Sequence, residues 1–262
     1  MSDAADADDH LAELRAVMRR LLAPDGCPWD REQTLETLRP FLLEEAYEVV
    51  EAIDHRDMGA LREELGDLLM NIVFLAELAE RAEAFTLGDA VVGIRDKLVR
   101  RHPHVFGSSK LETPQAVVAS WERLKAQEKA DRGALDGIPV ALPALLRAVR
   151  TGEKAARRGF DWADAAGARE KVDEELAELD EAIQRGDREA QERELGDVLF
   201  ALTSVARKLD LDPEAALRGT LDRFLDRFRR VEAEARAEGR RLEDLGPEEL
   251  DRRWDRAKGR QR

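Results

Sequence analysis

Apolar residues recur at helical spacing from the first turns of the chain onward. Leu11, Leu14, Met18, Leu21 and Leu22 fall on one face of a first helix, and the stretch from Pro24 to Pro28 ends it. A second helix is expected from about Arg39 to Asp54. A third starts near Asp57, a good N-cap, and carries Leu61, Leu65, Leu68, Leu69, Ile72 and Val73. The second and third make a helical hairpin. A fourth helix follows Thr86, turns Val91, Ile94 and Leu98 inward, and stops before Pro103. Further along, Gly186 and Asp187 set a helix stop beside a helix start, which compactly joins two antiparallel helices. Pro213 after Asp212 opens a long last helix in the same way.

The pattern is a repeat. Glu44 to Leu69 (EEAYEVVEAIDHRDMGALREELGDLL) aligns without a gap on Glu174 to Leu199 (EELAELDEAIQRGDREAQERELGDVL), 130 residues later, with 13 of 26 positions identical. Apolar and turn residues keep register too: Ala52 with Ala182, Ile53 with Ile183, Asp57 with Asp187, Gly66 with Gly196. Flanking matches follow with small gaps: Trp29 with Trp162, Lys97 and Arg101 with Arg223 and Arg227, Trp121 with Trp254, and Lys125 with Lys258. An internal repeat of this kind sets the architecture. The fold expected is all-α, with two tandem four-helix modules, each built round an acidic hairpin. Residues 1–10, with Asp3, Asp6, Asp8 and Asp9, read as a polar disordered lead-in. The modules are then 11–136 and 137–262, joined in a Pro- and Gly-rich stretch near Gly137, within which Trp121 to Asp131 is helical.

Composition narrows the chemistry. Charged residues make up 38% of the chain and aromatics 5%, the profile of long amphipathic helices. A net charge of -14 argues against nucleic acid as the partner. It is compatible with a phosphorylated small molecule delivered as a metal complex, because a bound divalent cation reverses the local sign. One cysteine, Cys27, allows no internal disulfide, and no early apolar stretch resembles a signal peptide or a membrane span. A cytoplasmic, soluble protein is expected.

Glu45 and Glu48 share one helical face, as do Glu64 and Asp67 on the next helix. Antiparallel packing would bring these carboxylates together as hard oxygen ligands suited to Mg²⁺ or Mn²⁺. The second module repeats the set as Glu174, Glu175, Glu178, Glu194 and Asp197. A glutamate-rich helix is more often a solvated face, but here the 16-residue separation of Glu48 from Glu64 is kept between Glu178 and Glu194. His102 and His104 flank Pro103 without a third ligand nearby and read as a helix stop. Cys27 reads as a small buried residue, and Trp29 and Trp162 as packing residues.

The EExxE then ExxD pattern, with GCPWDREQT (Gly26 to Thr34), ELGDLL (Glu64 to Leu69), RRHPHVF (Arg100 to Phe106) and GFDW (Gly159 to Trp162), resembles the MazG nucleotide pyrophosphohydrolases of the all-α NTP-pyrophosphatase superfamily, over nearly the whole chain. The resemblance implies Mg²⁺-dependent hydrolysis of NTPs and dNTPs to monophosphate and pyrophosphate, in homodimers, clearing unwanted or aberrant nucleotides. It implies metal ligands Glu175, Glu178, Glu194 and Asp197, with Glu45, Glu48, Glu64 and Asp67 as their counterparts. Glu174 or Glu175 is the candidate general base. Arg223 and Arg227 would grip phosphate, with Lys171, Lys258 and Trp254 lining the substrate site. Activity in two-module relatives is attributed to the C-terminal copy, in keeping with Lys171 where the first copy has Phe41. Two departures stand out there: Arg193 in place of an acid and Ala190 in place of a lysine. The first copy is therefore kept as a second site. The rivals are a weakened helical scaffold that only binds metal or nucleotide, and a narrow pyrophosphatase for one nucleotide such as dUTP.

Overall fold

The computed structural model describes residues 3–108, 111, 113–127 and 133–259. The described residues form helices joined by turns, with no strand. The chain divides into two compact units, Met1–Ala130 and Asp131–Arg262, slightly earlier than the expected junction near Gly137.

The first unit holds α1 (Asp3–Leu21), the short α2 (Pro28–Arg31), α3 (Leu35–His55), α4 (Met58–Arg81), α5 (Leu87–Arg101), the short α6 (Pro103–Phe106) and α7 (Pro114–Gln127). α1 starts at Asp3, within the stretch 1–10. After α1 the chain turns back so tightly that the Cys27 N–H donates to the Leu21 carbonyl at 2.8 Å. A Cβ on Gly26 would lie 2.1 Å from that same oxygen, so only glycine fits. α3 begins at Leu35 rather than near Arg39, because Thr34 and Thr37 cap it reciprocally.

The α3–α4 connection is two residues long. Arg56 takes the left-handed conformation and the Asp57 carboxylate accepts from the Gly59 and Ala60 N–H groups. Met18, Leu22, Leu38, Val73, Phe74, Ala76 and Leu87 form the core between α1, α3, α4 and the start of α5. Through this core runs an ion-pair cluster. Glu77 is 3% exposed and accepts from Nε of both Arg15 and Arg19, at 2.9 and 2.8 Å, while Glu80 accepts from their Nη2 groups. One expectation fails: Val91, Ile94 and Leu98 of α5 are about half exposed, not inward. Helical spacing tells which residues share a face; it does not tell which element covers that face.

The second unit holds α8 (Ala144–Ala156), α9 (Ala165–Arg185), α10 (Arg188–Lys208), α11 (Pro213–Ala237) and α12 (Pro247–Gly259), with a 3-10 turn at Leu242–Asp244. The α9–α10 hairpin copies α3–α4. Gly186 takes the left-handed position, with φ of 66°, and Asp187 caps α10. Gly186 avoids the roughly 1–2 kcal/mol that a side chain such as that of Arg56 costs in this conformation. α8 packs on α10, and α11 packs on α8 and α12. The helix opened by Asp212 and Pro213 is thus not the last, since α12 follows and carries Trp254 and Lys258. Arg253, 3% exposed, ties α12 to the end of α11 through Glu238 and also pairs with Glu249 one turn back on its own helix. Before α9, Asp161 of the GFDW segment pairs with Arg207 and Lys208 at the end of α10, and Lys208 also donates to the Trp162 carbonyl.

Candidate metal and phosphate site

The two-residue turns decide where the carboxylates meet. Glu48 and Glu64 stand about equally far from the Arg56–Asp57 turn on the two arms of the hairpin, and Glu45 and Asp67 do the same one turn further on. Side chains at matched heights on antiparallel helices face each other. Glu45, Glu64 and Asp67 accordingly place one carboxylate oxygen each within 4.8 Å of the others. Glu48 stands one turn from Glu45 on the same helix and its charge acts on that carboxyl. The Glu45 carboxyl is pushed above its ordinary value by burial, then by the charges of Asp67 and Glu48. Glu64 is pushed up by burial, then by Glu48, Glu63 and Asp67. The leading charges acting on these two groups are negative.

In the second hairpin Glu175, Glu194 and Asp197 form the same trio within 4.8 Å. Glu175 is its innermost member, 6% exposed. A buried carboxylate needs a partner, and Lys171 supplies one: Nζ lies 2.6 Å from Glu175 and 2.9 Å from Glu174. These two carboxylates hold the Lys171 ammonium well above the usual lysine range. Glu178 stands outside the trio but is coupled to it, pushed up by burial and by Glu175 and Glu194, with Lys171 acting against that. Carboxylates crowded on one spot are the donor set that a hard divalent cation satisfies.

The remaining predicted residues lie on α11 and α12. Arg223 on α11 donates to Thr220 at 2.9 Å, Trp254 rests on Phe224 with ring centroids 5.0 Å apart, and Lys258 pairs with Asp255. Arg227 lies one turn beyond Arg223. α11 packs on α8 and α12, while Lys171 stands beside Glu174 and Glu175 on α9.

The two metal-capable groups among the described residues contain no histidine. His102 caps α6 and bonds the Leu98 carbonyl through Nδ1 at 2.7 Å, which makes it a helix stop. Cys27 is half-buried at the N-cap of α2. Trp29 is more than half exposed and meets Phe41 edge to face, so it packs on a neighbour without entering the core. Two features escaped the sequence: the Asp161 clamp and the Arg193–Glu194 contact at 3.3 Å. The second was legible as a charge reversal between the repeats, with Glu63 in one and Arg193 in the other.

Comparison with known proteins agrees with this geometry. The family described as MazG nucleotide pyrophosphohydrolase domain matches the chain twice, at residues 33–106 and 166–231, each match containing one acidic hairpin. The nucleoside triphosphate pyrophosphohydrolase/pyrophosphatase MazG of Thermotoga maritima is 45% identical over 94% of this chain and 95% of its own length. The nucleoside triphosphate pyrophosphohydrolase of Escherichia coli K12 is 41% identical over 95% of this chain and 97% of its own. That of Mycolicibacterium smegmatis is 34% identical over 93% of this chain and 65% of its own.

Proposed function

The chain belongs to the MazG nucleotide pyrophosphohydrolase family, and on that premise we propose that its C-terminal module hydrolyses NTPs and dNTPs to nucleoside monophosphate and pyrophosphate with Mg²⁺, for which Mn²⁺ substitutes. The observation that carries this reading is the buried Glu175 within the trio it forms with Glu194 and Asp197, beside the Lys171 ammonium. Acids and a cation side by side suit a substrate that is itself an anion carrying a metal.

Glu175, Glu178, Glu194 and Asp197 would hold the cation. When bound, it neutralises charge on the leaving pyrophosphate and makes water a better nucleophile. Glu174 shares Lys171 with Glu175 yet stands outside the trio, so it is the group we assign to take the proton from the water attacking the α-phosphorus. Lys171 orients both carboxylates and adds positive charge for phosphate. Arg223, Arg227 and Lys258 supply further cations from α11 and α12, and Trp254 supplies a flat apolar surface for base or ribose. Glu45, Glu48, Glu64 and Asp67 form a second cation site, with Phe41 where a lysine would face the phosphates.

We assign a homodimer as the working form. Val91, Ile94 and Leu98 on α5, and Leu221, Phe224 and Phe228 on α11, leave apolar faces open that a second copy would cover. The role we assign is removal of unwanted nucleotides in the cytoplasm, without nucleic acid or membrane as partner. Among the described residues no helix is long and apolar enough to cross a membrane.

Ion-exchange analysis of products from each NTP and dNTP with Mg²⁺ tests this reading, using wild type, Glu175→Gln and Glu45→Gln. Monophosphate and pyrophosphate from wild type and from Glu45→Gln, but not from Glu175→Gln, is the expected result. Turnover that survives in Glu175→Gln and is lost in Glu45→Gln moves the working site to the first module. Turnover of dUTP alone favours the narrow enzyme, and binding without turnover favours the scaffold.

A further inference from the structure

The two acidic hairpins differ at two places that decide what each can hold. Phe41 in the first is Lys171 in the second. On the following helix, Arg62–Glu63–Glu64 becomes Glu192–Arg193–Glu194. The three charges are the same and only their order changes, so the arginine moves by one residue while the segment keeps its net charge. One residue is about 100° round a helix. Arg62 lies two residues before Glu64 and five before Asp67, off the acid face. Arg193 lies beside Glu194 and four residues before Asp197, a spacing that brings side chains together.

The structure bears this out. Arg193 Nη2 is 3.3 Å from Glu194 Oε1, and the arginine side chain remains 62% exposed while that of Glu194 is 13% exposed. On α9, the arm facing Arg193's own helix, Lys171 meets Glu175 one turn along the same helix. Each arm of the α9–α10 hairpin therefore sets one cation against a member of the carboxylate trio. A site for a metal alone gains nothing from such neighbours, because positive charge beside its ligands disfavours the metal. A site that takes an anion together with its metal gains from both.

We propose that Arg193 is a phosphate-binding residue of the C-terminal module, with its exposed guanidinium donating to triphosphate oxygens across the site from Lys171. The proposal rests on the nucleotide-hydrolysis reading above and adds a residue to it. Arg193 offers a planar fork of donors that suits phosphate oxygens. The first hairpin, with Glu63 at this position and Phe41 opposite, accepts a cation and repels a phosphate chain.

Titration calorimetry on the full-length protein tests it, with Mn²⁺ alone, then inorganic pyrophosphate and a non-hydrolysable α,β-methylene NTP in the presence of Mn²⁺. Arg193→Gln should weaken both phosphate probes about tenfold, the loss of one charge-assisted contact. Arg193→Lys should recover part of that loss, and Arg193→Glu should deepen it. Mn²⁺ alone should bind no less tightly in any of the three, and KM in Arg193→Gln should rise by more than kcat falls. Unchanged affinity for both probes would overturn the proposal, as would a loss that only tracks weaker Mn²⁺ binding. Wild type that binds the probes without hydrolysing any NTP would defeat the hydrolysis reading instead, and the comparison of affinities would still decide the role of Arg193.

Discussion

Replacing Glu77 with glutamine removes one charge and keeps the shape, at the point where α1 is fastened to α4. Each carboxylate oxygen of Glu77 accepts from an arginine Nε, from Arg15 at 2.9 Å and from Arg19 at 2.8 Å. Glutamine retains one acceptor and turns an NH₂ group towards the other donor, so at least one charge-assisted bond is lost, worth roughly 1.5–3 kcal/mol. Removing one partner from a buried pair costs roughly 3–5 kcal/mol. The lower end applies, because the Arg15 and Arg19 side chains remain 27% and 51% exposed and can turn to water. A loss of about 3 kcal/mol is expected, lowering the transition of the first unit by roughly 10 °C. Calorimetry and urea unfolding of the full chain provide the measurement. Burial acts to raise the Glu77 carboxyl, but hydrogen bonds from Arg19 and Arg15 outweigh it and hold the group below its ordinary value. Its contribution is therefore complete above the ordinary carboxylate range and is lost as pH falls through the lowered folded value. The gap between wild type and variant should be full at neutral pH and close only in strong acid. A difference under about 0.5 kcal/mol at pH 7, the size of an ordinary surface change, would refute the reasoning, as would a gap indifferent to acid.

Asp161→Asn should destabilise the second unit by about 3 kcal/mol, since it leaves the mostly buried Arg207 and Lys208 side chains without their carboxylate. Hydrogen bonding from Arg207 leads the causes that hold this carboxyl well below its ordinary range, so the wild-type advantage should persist until strong acid; a variant as stable as wild type at pH 7 would count against the clamp. The acid clusters carry the opposite sign. Glu45, Glu64 and Glu178 are raised by burial and by neighbouring negative charge, so metal-free protein should lose stability as pH rises from the ordinary carboxylate range through the raised values. Millimolar Mn²⁺ at neutral pH should raise the melting temperature, with protons released on binding in mild acid; an unchanged melting curve would argue that the clusters take no metal.

The sequence and the structure agree most closely where geometry is local. The distance of each carboxylate from the Asp57 and Asp187 caps is kept between the repeats, and a two-residue turn converts that spacing directly into facing side chains. Glu175 and Lys171 sit one turn apart on a single helix, so their pairing was implicit in their numbers. Long-range placement was not legible. Val91, Ile94 and Leu98 were expected to face inward because they form a stripe, but nothing in a stripe tells whether its cover comes from the same chain. Nothing in the spacing of Glu77 points to Arg15 and Arg19, which only the packing of α1 on α4 brings against it. Arg223 and Arg227 on α11 and Trp254 and Lys258 on α12 come from helices far along the chain from the acids, and spacing in sequence says nothing of such distances.

In the proposed mechanism the C-terminal acids direct water to the α-phosphorus of a nucleoside triphosphate. Hydrolysis of dATP in ¹⁸O-enriched water with Mg²⁺, followed by mass analysis of both products, tests it most directly. The account predicts one ¹⁸O in the monophosphate and none in the pyrophosphate. Label in the pyrophosphate, or release of inorganic phosphate in place of pyrophosphate, would contradict it.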